Sequence, residues 1–122
     1  MNRLLLLLMP LLLATRLFAQ DPKLAHLDVR TNAVCDMCVR TIETEMLYEK
    51  GVKSVHVDLD SNLIHVTVDP RKTDVEKVRT AISKLGYSAD DVGPDMAARE
   101  KLPDCCKKEG CGMPPAKPEQ KN

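Results

Sequence analysis

Residues 51–70 read GVKSVHVDLDSNLIHVTVDP, and the reading of this stretch decides the fold. Val55, Val57 and Leu59 alternate with polar neighbours, and Ile64, Val66 and Val68 do the same after a short break. A period of two is the mark of a strand with one buried and one wet face. Asp60-Ser61 between the runs favours a tight turn, so the two strands pair as a β-hairpin. Asp69-Pro70 stops the second strand, because proline brings no N–H to a ladder.

The flanks change period. Thr73-x-x-Glu76 has the form of a capping box and predicts a helix start at Thr73. Val75, Val78, Ile82 and Leu85 then recur at helical spacing, and Gly86 closes the run. Tyr87 to Val92 predicts a short, weakly patterned last strand. On the other side, residues 24–31 (LAHLDVRT) alternate, with Ala25, Leu27 and Val29 on one face. A polar loop from Thr31 to Asp36 leads into residues 37–49, where Cys38, Ile42, Met46 and Leu47 share a helical face. Asp36 is the expected N-cap and Gly51 the expected terminator. The order is β-α-β-β-α-β. The right-handed crossover rule turns that order into an α+β, ferredoxin-like plait: a four-stranded antiparallel sheet with two helices on one face.

Three segments follow from this. Residues 1–19 predict a cleavable export signal: a basic start with Arg3, a ten-residue apolar run from Leu4 to Leu13 interrupted only by Pro10, and Leu17-Phe18-Ala19 before the cut. Arg16 comes too early for a membrane-spanning helix of about 20 apolar residues. Residues 20–93 form the domain, and 94–122 a flexible C-terminal tail rich in Cys, Pro and Lys. The expected location is therefore outside the cytoplasm, periplasmic or extracellular. Without residues 1–19 the chain carries 16 basic against 18 acidic residues, which gives no electrostatic footprint for nucleic acid. With two Tyr, one Phe and no Trp, the core must be aliphatic, and so small a core benefits from a staple or a ligand.

The chemistry lies in the loop before the first helix. Two residues separate Cys35 from Cys38, so both sulfurs can converge on one point. Free backbone N–H groups and the positive end of the helix dipole face that point and favour thiolates. Thiolates are soft ligands that select Cu(I), Zn(II), Hg(II) and similar ions. Arg40 adds positive charge nearby and Asp36 opposes it. Outside the cytoplasm the same pair can instead close a short disulfide, which would switch a metal site off.

With the Cys-x-x-Cys run between first strand and first helix, the sequence resembles the heavy-metal-associated domain family. That family includes copper chaperones, the N-terminal domains of copper pumps and periplasmic mercury-binding proteins. The resemblance covers residues 24–92 and rests on Cys35-x-x-Cys38, on GVKSVHVDL, on VTVDP and on the KLGY run ending in Tyr87. It implies Cu(I) as the first ion and Hg(II) as the second, held near-linearly by Cys35 and Cys38. It also implies Tyr87 beside the metal loop, and hand-over by ligand exchange to a metal-transporting membrane protein or another metal-binding domain. Monomer and metal-bridged dimer are both compatible with it. This sequence departs from the family where a Met usually stands two residues before the first Cys. Ala33 fills that position with less volume, which predicts a looser loop. Met37 between the cysteines is either a third soft ligand, a partner contact or an exposed residue without a role.

Cys105, Cys106 and Cys111 lie in DCCKKEGCGMPP, with Met113 beyond. They offer a secondary metal site or a small disulfide loop, and the five cysteines of the chain cannot all pair internally. A sharper expectation is that the tail caps the metal held by Cys35 and Cys38. His26, His56 and His65 fall on outward strand positions, with His56 opposite His65 across the hairpin, either solvated or as part of a Zn(II) site. A Cys-x-x-Cys also serves thiol–disulfide exchange, but the element order differs from that of thioredoxin-like enzymes and no aromatic precedes the motif. No nucleophile–base constellation is visible, so the expectation is a binding protein and not an enzyme.

Overall fold

A computed structural model describes residues 23–107. Strand β1 spans Ala25–Arg30, helix α1 Asp36–Met46, β2 Val52–Asp58, β3 Leu63–Val68 and α2 Val75–Lys84. Two short helices follow, α3 at Met96–Glu100 and α4 at Asp104–Lys107.

The hairpin forms in the register that the sequence predicts. Val57 pairs with Ile64, His56 with His65 and Val55 with Val66, and a bulge between Val52 and Ser54 brings Val52 opposite Val68. Strand β1 joins the far side of β3, pairing Val29 with Ile64 and Leu27 with Val66, so the sheet order is β1-β3-β2, all antiparallel. One face of the sheet is thus lined by Val29, Val57, Ile64, Val66 and Val68, all buried. Cys38, Ile42 and Met46 from α1 and Val78, Ala81 and Ile82 from α2 belong to the same buried core. Both helices supply the spacing of three and four that an apolar stripe requires.

Two helix starts differ from expectation by one residue. Asp36 is the first residue of α1 and Cys35 the N-cap. In α2 the cap is Asp74, whose side chain accepts the Lys77 N–H at 2.9 Å. Thr73 instead points inward and is buried. The terminators stand as expected, with Gly51 (φ 86°) and Gly86 (φ 95°) in the left-handed region that favours glycine.

The fourth strand expected over Tyr87–Val92 does not form among the described residues, so the sheet has three strands there. The chain doubles back instead, with Ala89 and Val92 exchanging two 2.9 Å hydrogen bonds around Asp90 (φ 53°). Asp90 takes the edge of β1 in another way. Its N–H donates to the Arg30 carbonyl at 2.9 Å, and its carboxylate accepts the Arg30 N–H at 2.8 Å. The same carboxylate binds Arg79 of α2 at 2.8 Å. An aspartate tolerates the left-handed turn, and one side chain completes the pairing that a strand backbone would otherwise continue.

Residues 94–107, which the sequence assigns to the C-terminal tail with one or two helical turns allowed over 95–101, include α3 and α4. Asp95 caps α3, accepting the Ala98 N–H at 2.9 Å, and its own N–H donates to the Ser83 carbonyl at the end of α2. The backbone of Arg99 passes so close to Gly86 that a Cβ there would lie 2.8 Å from the Arg99 nitrogen. Glycine at 86 therefore makes room for α3, and α3 sets the direction of α4. The expected export signal at 1–19 lies outside the described residues, as do Cys111 and Met113.

Candidate metal centre

The N-cap position of Cys35 follows from its extended backbone (φ −148°, ψ 166°), which turns into α1 only at Asp36. Its carbonyl accepts the first helical hydrogen bond, from Val39 at 3.1 Å. The sulfur is thus held in front of the free N–H groups of the first turn. One turn in, Cys38 points into the core and is completely buried. The two sulfurs lie 3.3 Å apart as free thiols. Ala33 is also buried, so the loop packs inward at this position.

The tail supplies two more sulfurs. Cys105 Sγ stands 3.5 Å and Cys106 Sγ 3.7 Å from Cys35 Sγ, and they are 3.9 Å from each other. Cys35, Cys105 and Cys106 have their sulfurs close enough together to ligate one ion. Met37 is half exposed, yet its Sδ lies 3.6 Å from Cys105 Sγ, so this thioether borders the cluster. Of the five candidate cysteines, Cys35, Cys105 and Cys106 are therefore brought to one point, Cys38 lies beside Cys35, and Cys111 falls outside the described residues.

The electrostatics single out Cys35. Burial pushes its thiol up, but the backbone N–H of Cys38 and the sulfurs of Cys38, Cys105 and Cys106 outweigh this and bring it down to about 7. Cys105 is raised, chiefly by its hydrogen bond with Cys35. Cys106 is raised far more, first by burial and then by Cys38. One sulfur is thus ready to ionise near neutral pH, while those of Cys105 and Cys106 hold their protons more firmly.

Tyr87 lies fully buried beneath the loop, with the Cys106 and Cys38 sulfurs beside its hydroxyl. Burial pushes the phenol well above its ordinary range, so it stays a neutral donor. The histidines form no cluster with the cysteines. His56 and His65 stack on the open sheet face at 6.3 Å between ring centroids. His65 meets Asp28 at 2.7 Å and His56 meets Glu43 at 3.3 Å, while His26 bonds Thr67 at 3.0 Å. What sequence reasoning did not place is the support of α4: Arg99 donates to the Lys107 carbonyl at 3.5 Å, and Lys107 Nζ to the Glu100 carbonyl at 3.1 Å. Neither arginine nor lysine carries a sequence signal for that role.

A βαββα domain with paired thiols at the head of its first helix defines a class of small soft-metal-site domain. Residues 31–88 match the heavy-metal-associated domain, and the chain belongs to that family. It is 38% identical over 53 residues to the copper chaperone CopZ of Staphylococcus haemolyticus, covering 43% of this chain and 78% of that protein. It is 39% identical over 62 residues to copper-transporting ATPase 1 of Mus musculus, where the match spans 51% of this chain and 4% of the ATPase. The solved structure titled CopZ metallochaperone shares the fold, with a TM-score of 0.51 at 24% identity over 53% of this chain and 98% of that one. These alignments centre on the domain and leave much of the chain unmatched.

Proposed function

We propose that this protein binds a soft heavy-metal ion, Cu(I) before Hg(II) or Zn(II), through Cys35 and Cys38, and carries or sequesters it outside the cytoplasm. The observation that carries the reading is the 3.3 Å approach of two free sulfurs at the head of α1, one of them inclined to ionise near pH 7. Two thiolates on a monovalent ion make a site of net charge −1, which the first turn of a helix stabilises. Copper chaperones and copper-transporting ATPases among the relatives support copper as the cargo. They also support a metal-transporting membrane protein or a second metal-binding domain as the partner. The export reading of residues 1–19 supports the location. The protein acts as a binder and not as a catalyst, since ligand exchange between thiolates needs no acid–base pair.

The test is an anaerobic Cu(I) titration of the reduced mature protein against a competing chelator. Wild type is expected to compete for one ion, and Cys35→Ser/Cys38→Ser to lose that competition. Equal competition by the double variant would remove the Cys-x-x-Cys pair from the function.

A further inference from the structure

We propose that α4 is a lid that brings Cys105 and Cys106 into the coordination sphere of the ion at Cys35, making the site a three-thiolate one closed by the protein's own tail. The inference rests on the soft-metal reading above and concerns how the ion is held: Cys35 keeps it, and in the closed site the two tail sulfurs take the place of Cys38, which is buried in the core.

The geometry carries it in three ways. The sulfurs of Cys35, Cys105 and Cys106 form a triangle with sides of 3.5, 3.7 and 3.9 Å. The centre of such a triangle lies about 2.1 Å from each corner, close to a metal–thiolate bond of about 2.3 Å. An ion there needs only a few tenths of an ångström of expansion, without moving any helix. A near-linear ion between two sulfurs would instead need them about 4.6 Å apart, twice that bond length. The Cys35–Cys38 separation is 3.3 Å, so the sulfurs at rest suit a higher coordination number better.

The second support is the Tyr87 hydroxyl, which is buried without a hydrogen-bond partner of adequate geometry. A buried donor left unpaired costs stability. The Cys106 sulfur beside it is a weak acceptor as a thiol and a strong one as a metal-bound thiolate. Loading the site therefore satisfies a donor that the metal-free site leaves waiting.

The third is that α4 is fixed in place. Cys106 is 2% exposed and belongs to the core cluster, and the Arg99 and Lys107 hydrogen bonds tie α3 to α4. Cys105 stays half-buried at the rim beside Met37, where an incoming ligand from a partner can reach it first. A lid of this kind favours retention. Release then requires Cys105 to yield before Cys35 does, so the incoming partner sets the time of transfer.

The experiment is X-ray absorption at the copper edge of the full mature chain loaded with one equivalent of Cu(I), run beside chelator competition. Wild type, Cys105→Ser, Cys105→Ser/Cys106→Ser and Cys35→Ser/Cys38→Ser are compared, with circular dichroism as the check of folding. The expected result is three sulfur neighbours in wild type and two in Cys105→Ser. That variant should hold Cu(I) at least about ten-fold more weakly, since losing even a partner of a ligand costs that much. Because Cys105 is half-buried, its replacement reads the lid even if the double tail variant fails to fold. Two sulfur neighbours in wild type, or three retained in Cys105→Ser, overturn the lid and leave the Cys35–Cys38 reading standing. No tight Cu(I) binding by wild type overturns both.

Discussion

Cys35 stands at the head of α1 with three other sulfurs within 3.7 Å, and its thiol is the one brought down to about 7. Alkylation of the metal-free protein is therefore expected to modify Cys35 first, with a rate that climbs through pH 7 as the thiolate forms. Peptide mass mapping after brief exposure to iodoacetamide checks this; preferential modification of Cys106 at neutral pH would contradict it. A second residue-scale prediction concerns Asp69, whose side chain is 1% exposed and bound twice by Arg71, at 3.0 and 2.8 Å. That hydrogen bonding holds the Asp69 carboxyl well below the usual carboxylate range. A depressed folded pKa stabilises fully above the unfolded value of about 3.9, and the contribution is lost as pH falls below it. Urea midpoints are expected to drop between pH 5 and pH 3 in wild type. They should drop less in Asp69→Asn, which starts from a lower midpoint at pH 7.

At the scale of elements, the helices are held to the sheet by apolar stripes and to each other by chain terminators. Ile42 is completely buried between α1 and the sheet. Ile42→Ala removes its packing atoms and leaves a cavity, so a loss of about 2–5 kcal/mol in denaturant unfolding is expected. Gly86 does two jobs: it ends α2 with φ 95°, and it lets the Arg99 backbone approach. Gly86→Ala is expected to cost about 1–3 kcal/mol from backbone strain alone. It should also push α3 outward, and faster labelling of the otherwise shielded Cys106 thiol would report that movement. Unchanged Cys106 protection would mean that α4 is placed independently of α3.

For the whole molecule, ligand and fold are linked. An ion that binds only the folded protein stabilises it by about 2.7 kcal/mol at a hundred-fold excess over Kd. One equivalent of Cu(I) is therefore expected to raise the thermal midpoint of wild type and to leave that of Cys35→Ser/Cys38→Ser unmoved, as read by circular dichroism. The hairpin pairing, the two main helices and the approach of the Cys35 and Cys38 sulfurs were legible in the sequence, because they rest on local periodicity and on residues three apart. Val57 against Ile64 and His56 against His65 follow from a period of two and a tight turn, with no knowledge of the rest of the chain. The missing fourth strand was not legible, because the turn at Asp90 depends on Arg30 and Arg79, which are distant in sequence. The meeting of Cys105 and Cys106 with Cys35 was open for the same reason. Composition marked the tail as rich in soft ligands, but contacts 70 and 71 residues apart arise only when α3 docks at Gly86. By itself, then, the sequence determined the strands, the main helices and a thiol pair, through short-range patterning. Only the tertiary structure decided that the tail returns to that pair, because close packing between distant segments brings the sulfurs together.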